Sequence, residues 1–467
     1  MMRTSRKRES RQKWGMNWFA TLAVLLLCVS AANAAQTPSA VRSLRYDEVR
    51  DVVQEFRALG ESLPFGDDEE SWHAWLTKRD AETRSRIDEG VADSISNLIL
   101  YGTSFTQVPR LVSFEEATDE SGALVPRVRE RIREFARVLR QQNPGERIAL
   151  AKAFLARQHV ADGDVEKYLT GNLERFVRDQ REYQKKMEAS ASDAGETLGT
   201  RGTLYADRGL SVDTSLLPNY ALEKTLAAML RKGAISAGSM KRVAIIGPGL
   251  DYADKRGGYD FYPLQTIQPF AVLDSLGRLG LSEKSGAEVT AFDLNQTVLD
   301  HVKRLAVAGR AGRGYTIQLP RDLTADWNEE AAEYWRRFGS GVGAEVPAIA
   351  IPKTLPQTAT RAVRIRAAVA AQMKTADLNI VAQTMDLEEG AGFDLIVATN
   401  VLVYYDRFEQ AVAMAGITRL LNHGGIFLCN NVLPAQHPEE LKYLGRLSVT
   451  FSTHGGFGDD VVVYRKQ

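Results

Sequence analysis

Two hydrophobic periods divide this chain. Between residues 45 and 188 apolar positions recur three or four apart, in RYDEVRDVVQEFRALG (45–60), ETRSRIDEGVADSISNLILYG (82–102), VPRVRERIREFARVLRQQ (125–142) and DVEKYLTGNLERFVRDQREYQKKME (164–188). That interval puts apolar side chains on one face of a helix, and Gly60, Gly102 and Pro144 punctuate the run. After residue 203 the pattern changes. Short apolar runs KRVAIIG (241–247), AEVTAFD (287–293), LNIVAQ (378–383), FDLIVAT (393–399) and GGIFLCN (424–430) alternate with helical stretches at 219–234, 269–280, 295–309 and 409–423. Strands that are apolar throughout and alternate with helices predict an α/β fold, a parallel sheet covered on both faces. The chain closes differently. RLSVTFST (446–453) and DDVVVYRK (459–466) have a Gly-rich connection and no helix between them, the pattern of an antiparallel hairpin.

Between the two patterns lies MEASASDAGETLGTRGT (187–203), small, polar and Gly-rich. It reads as a linker, dividing a helical N-terminal domain at 35–186 from an α/β domain at 204–467. The first 34 residues follow neither pattern. Arg3, Arg6, Lys7, Arg8, Arg11 and Lys13, against Glu9 alone, precede the apolar WFATLAVLLLCVSAANA (18–34). A basic flank, a short apolar run and a small-x-small site are the parts of a signal peptide, with cleavage expected after Ala34; an uncleaved anchor is the alternative. In either form the rest of the chain is exported, periplasmic or secreted, with no stable membrane association once the signal is cleaved.

Apolar content of 44% and charged content of 25% are those of a globular chain. Without its basic start the net charge falls from zero to about −5, which argues against nucleic acid as a partner. The mature chain keeps only Cys429, so it forms no intramolecular disulfide. The six histidines show no ligand spacing, and no metal is expected.

The candidate chemistry centres on VAIIGPGLDYADK (243–255). A Gly-x-Gly turn after a strand lets backbone pass close to a ligand, and the following helix offers free N–H groups. Gly247 and Gly249 suit that role, or serve only a tight turn. A valine at 249 would fill the ligand's space, so Gly249→Val is expected to abolish binding and leave the fold nearly as stable. Asp293 ends the next strand, where a carboxylate accepts from both ribose hydroxyls or caps the helix that follows. Asp386, after LNIVAQTM, faces an adenine amine or is a solvated loop residue. In this order on successive strands the three positions point to a nucleoside ligand.

These residues resemble a known family. Residues 241–467 are similar to the class I S-adenosylmethionine-dependent methyltransferases: VAIIGPG resembles their Gly-rich first motif, VTAFDLN their ribose-binding strand and LNIVAQTMD their adenine-side loop. The resemblance implies a Rossmann-like methyltransferase sheet with a terminal antiparallel hairpin, S-adenosylmethionine as cofactor, and methyl transfer to a small-molecule or protein acceptor. TNVLVYYD (399–406) is most similar to the chemotaxis-receptor glutamate methyltransferases, implying a carboxylate acceptor, Asn400 beside the cofactor and Tyr404 beside the transferred methyl. GTSFTQVP (102–109) echoes the segment those enzymes place over the cofactor. The departures are specific. Ile245 stands where the family has an acid, Asp251 where it has a third glycine, Thr399 and Gln107 where it has arginines. The Asp251 carboxylate suits the cofactor's cationic amino group or the cap of the next helix. Asp293 lies 46 residues after Gly247, where about 20 is usual. Insertions at 250–268 and 310–376 account for added length. Two other classes stay open: an exported binding module on a degenerate methyltransferase fold, and an NAD-dependent oxidoreductase.

The leader makes a direct prediction. N-terminal sequencing of the protein purified from its native cells is expected to begin at Ala35, in a fraction outside the cytoplasm; soluble cytoplasmic protein beginning at Met1 would refute it.

Overall fold

Seven strands build the central sheet: β1 (Arg242–Ile246), β2 (Glu288–Asp293), β3 (Met373–Asp377), β4 (Phe393–Ala398), β5 (Leu421–Cys429), β6 (Leu441–Thr450) and β7 (Gly458–Lys466). Their order is β3-β2-β1-β4-β5-β7-β6. β1 to β5 run parallel, and β7 enters between β5 and β6 antiparallel to both. Dinucleotide-binding sheets keep the order 3-2-1-4-5-6, so the reversed β7 sets this architecture apart. The computed structural model describes residues 41–467 except 143, 191–207, 212, 215–216, 253–258, 284–285, 321–326, 354, 356–359, 431–432, 434–435 and 454–457. The expected signal peptide and most of the expected linker therefore lie outside the described residues.

The third strand corrects the sequence reading. It is MKTAD (373–377), not LNIVAQ. An edge strand has only one neighbour and needs no apolar run, and β3 is buried only at Met373. The apolar residues Leu378, Ile380, Val381 and Ala382 form the turn beyond it, buried in one cluster with Leu44, Tyr46 and Val49. Asn379 shapes that turn, its side-chain oxygen accepting from the Val381 N–H at 3.1 Å.

The helices are α1 (Arg50–Ala58), α2 (Glu69–Tyr101), α3 (Pro126–Leu139), α4 (Glu146–Arg157), α5 (Val165–Ser190), α6 (Leu217–Arg231), α7 (Gln268–Arg278), α8 (Gln296–Arg310) and α9 (Arg407–Leu420). Strand alternation sends Val243 and Ile245 of β1 to one face, with α6, α7 and α8, and Ala244 and Ile246 to the other, with α9. The second face is completed by the N-terminal segment. Val52, Val53 and Phe56 of α1 and Trp72, Trp75 and Leu76 of α2 belong to the same apolar cluster. Trp72 also donates its indole N–H to the Leu44 carbonyl at 2.8 Å. The far half of α2 packs with α3, α4 and α5 in a separate cluster.

One helix thus serves two cores. α2 has 33 residues, a length of about 50 Å, and starts at Asp68, whose carboxylate caps it by accepting from the Ser71 N–H. Its beginning falls outside the expected helix at 82–102. The charged middle, TKRDAETRSRIDEG (77–90), interrupts the apolar pattern because it runs along the edge of the sheet. There Arg79 pairs with Glu409 of α9 at 2.6 Å and Arg84 with Asp377 of β3 at 2.8 Å. The insertion between β2 and β3 forms a small antiparallel sheet of Tyr315–Pro320, Thr360–Ile365 and Gly343–Val346, packed on the α6–α8 face. Arg361, one of the arginines of this insertion, is buried and donates to the carbonyls of Trp335 and Phe338. No helix of the described residues is long and apolar enough to cross a membrane.

Two helical glycines separate packing from propensity. The Leu210 carbonyl occupies the place of a Cβ on Gly90 of α2, whereas Gly171 of α5 is exposed with nothing within 4 Å. Urea unfolding is expected to show Gly90→Ala destabilised by roughly 1–3 kcal/mol, as for overpacked sites. Gly171→Ala is expected to gain about 0.5–1 kcal/mol from helix propensity. A gain at both positions would contradict the packing.

Candidate functional site

A cavity of about 510 Å³ opens where the C-terminal ends of β1, β2 and β4 meet α2, α5 and the segment 208–214. The crevice outside the carboxyl ends of parallel strands is where open α/β sheets bind ligands, and the volume suits a small molecule. Gly247, Gly249, Asp293, Asn400 and Tyr404 all line it. Asp251 and Asp386 do not.

Gly247 and Gly249 have φ of +65° and +69°, the left-handed region that glycine enters without strain. Their missing side chains also make room for protein. A Cβ at 247 would stand 2.8 Å from the Val401 methyl, and the Asp213 carbonyl occupies the place of one at 249. This overturns the expectation that Gly249→Val spares the fold, because the added side chain strikes backbone.

Asp293 does not cap α8. Asn295 does, accepting from the Thr297 N–H at 2.9 Å, while Asp293 accepts from the Asn295 N–H at 2.8 Å. Burial pushes the Asp293 carboxyl up to about 7, against the pull of the backbone N–H groups and with a smaller push from Asp377 beside it on β3. Asn400 has φ +57°, a conformation asparagine tolerates better than most residues. A reciprocal pair holds it: its N–H donates to the Asn430 side-chain oxygen, and the Asn430 amide donates back to the Asn400 side chain, both at 2.7 Å. Tyr404 is braced by Arg86, which donates to its carbonyl at 2.9 Å and sits 6.0 Å from its ring centre. Burial raises the Tyr404 hydroxyl above the usual phenol range, although it accepts from the Ser211 backbone.

Asp251 lies off the cavity because Arg147 of α4 claims it, through contacts of 2.6 and 3.0 Å. The pair borders a separate space of about 100 Å³. Asp251 does not cap the next helix either, since the N-cap of α7 is Ile267. Asp386 pairs with Arg42 at 2.7 Å on the far side of the 378–382 turn. The GTSFTQVP segment also misses the cavity. Tyr101 just before it reaches the lining, but Thr103 and Ser104 turn away to donate to the Asp260 carboxylate.

The far wall brings residues that sequence reasoning missed. Asp93 on α2 pairs with Arg175 at 2.5 Å and lies 3.9 Å from Arg208. Burial nonetheless raises the Asp93 carboxyl above the ordinary range. Asp213 enters from the segment 208–214. Nothing in the local pattern of that segment marks it, since its role comes from where it crosses. Asn430 had a legible signal, a polar residue ending the apolar β5. Among the described residues no group of three or more His, Cys, Asp or Glu side chains is arranged to hold a metal.

No family model matches this chain, and no curated protein matches it. Solved structures do resemble it. One is the N-methyltransferase NodS from Bradyrhizobium japonicum WM9, at 13% identity and TM-score 0.25, covering 53% of this chain and 97% of that one. Another is the TehB-like SAM-dependent methyltransferase from Corynebacterium glutamicum ATCC 13032, at 12% identity and TM-score 0.23, covering 54% and 97%. A third is the magnesium protoporphyrin IX methyltransferase ChlM from Synechocystis PCC 6803, at 9% identity and TM-score 0.25, covering 53% and 79%. Superpositions this loose carry no argument of their own. The strand order does: a seven-stranded sheet with a reversed last strand between the fifth and sixth is the class I methyltransferase fold.

The raised Asp293 acidity has a measurable sign. In the unfolded chain an aspartate titrates near 3.9, and in the fold Asp293 titrates at about 7. Between those values the folded state binds the extra proton, so this group makes stability fall as pH rises from about 4 to 7. Asp293→Asn is expected to match wild type near pH 4 and to exceed it near pH 8, read from unfolding midpoints across that range. Parallel pH profiles would refute the assignment.

Proposed function

We propose that this protein is an S-adenosylmethionine-dependent methyltransferase acting on a carboxylate. One observation carries the reading: Asp293 at the end of the second strand lines the same cavity as the left-handed Gly247–Gly249 turn that ends the first. The donor set fits the cofactor. The turn lets a ligand approach backbone closely, and the Asp293 carboxylate is placed to accept from ribose hydroxyls. When bound, the cofactor supplies an electrophilic methyl group on a sulfonium.

The chain's own residues would then hold and align. Asn400, fixed by Asn430, presents a side-chain amide beside the turn. Tyr404, fixed by Arg86 and Ser211, also lines the cavity. α2, α5 and the segment 208–214 supply the rest of the lining. No His, Lys or Cys is among the described residues that line it, which favours an acceptor that is already a nucleophile, as a carboxylate is. Alignment of methyl and acceptor then supplies much of the rate. Arg208 on the far wall offers a cation to such an acceptor, and the likeness of TNVLVYYD to glutamate methyltransferases points the same way. The acceptor is a small molecule or a protein side chain, and the protein works outside the cytoplasm if its leader acts as read.

A second reading rests on the departures in the Gly-rich motif. Ile245 is packed in the core and Asp251 is locked by Arg147, so neither serves a ligand in the cavity. An exported binding module that has lost its cofactor would show the same features. Calorimetric titration with S-adenosylhomocysteine separates the two. The enzyme reading expects binding that Asp293→Ala weakens by about 1.5–3 kcal/mol, the worth of hydrogen bonds to a charged group. It also expects Asn400→Ala and Tyr404→Phe to reduce methyl transfer more than binding. Equal binding by wild type and Asp293→Ala sinks the ribose assignment, and no binding by wild type favours the second reading.

A further inference from the structure

The methionine end of the cofactor carries an ammonium, and a buried ammonium is costly without a counter-charge. The acid preceding the glycine turn in the family is Ile245 here, and Asp251 lies off the cavity against Arg147. Among the described residues lining the cavity the carboxylates are Asp93, Asp213 and Asp293. Asp293 stands at the ribose position, and Asp93 lies on the far wall beside Arg175. Asp213 stands beside the glycine turn. Its carbonyl lies against Gly249 itself, and Asp213–Thr214 pairs in parallel register with Asp251–Tyr252, directly after the turn. The Asp213 charge also adds to the rise of the Tyr404 hydroxyl, so the residue is near Tyr404 as well as the turn.

We propose that Asp213 is the counter-ion for the cofactor's amino group, carried by a segment that crosses the cavity rather than by the strand before the glycine turn. This rests on the methyltransferase reading above. The crossing segment is built to hold a charge in place. Leu210 donates its N–H to the Arg86 carbonyl at 2.9 Å, and Arg86 donates to the Arg208 carbonyl at 2.8 Å. A Cβ on Gly209 would meet the backbone of Glu89 and Gly90. The helical half therefore positions the carboxylate that the sheet's own motif lacks.

The test uses two ligands that differ in that one group. S-adenosylhomocysteine has the amino acid moiety, and methylthioadenosine keeps the nucleoside and thioether without it. By calorimetric titration of the full mature chain, Asp213→Asn is expected to weaken S-adenosylhomocysteine by about tenfold or more and to leave methylthioadenosine unchanged. Asp293→Asn is expected to weaken both. Unchanged S-adenosylhomocysteine affinity in Asp213→Asn overturns the proposal, as does an equal loss of both ligands, which would mean that the segment itself had shifted. Wild type that binds methylthioadenosine but not S-adenosylhomocysteine overturns this inference alone. Wild type that binds neither overturns the methyltransferase reading with it.

Discussion

The site depends on a backbone crossing between two glycines. Segment 208–214 passes over Gly90 of α2 at one end and Gly249 of the cofactor-type turn at the other, with its carbonyls where side chains would stand. Side chains at those two points would force the helical half away from the sheet. Without them, peptide groups touch directly, and the cavity gains a wall that neither half provides alone. Positive φ at Gly249 adds a second reason for glycine there, so conformation and space make the same demand.

Charge inside the cavity follows from that closure. Desolvation raises the carboxyls of Asp93 and Asp293, although one faces arginines and the other backbone N–H groups. Burial likewise raises the Tyr404 hydroxyl, which stays neutral. Asn400 follows the end of β4 and pairs with Asn430, and Arg86 braces Tyr404 from the middle of α2.

Much of this was legible in the chain. The apolar runs of β1, β2, β4 and β5 sit where their composition puts them, because each is buried on both faces. The terminal hairpin was legible from the missing helix between β6 and β7. β3 was not, since an edge strand carries a weak pattern and the apolar turn after it imitates a strand. Gly247, Gly249, Asp293 and Asn400 are brought together because each lies at or just beyond the end of a strand that the pattern located, and Tyr404 follows in the short turn after β4. Asp251 and Asp386 were expected at the ligand and stand elsewhere, because their partners, Arg147 and Arg42, come from more than 100 residues away. The start of α2 and the crossing of 208–214 were hidden for the same reason: they are defined by tertiary contact alone.

The way the chain begins bears on how it is made. Val41–Ser43 pairs antiparallel with Gln383–Met385, and α1 shares its cluster with α9. Val41–Ser43 thus meets its partner strand only after about eight-tenths of the polypeptide has been made. Contacts of such separation delay folding, and cleavage near 187–203 would leave one fragment with a bare sheet face and the other with an orphaned tryptophan pair. The two halves are interlaced rather than strung together.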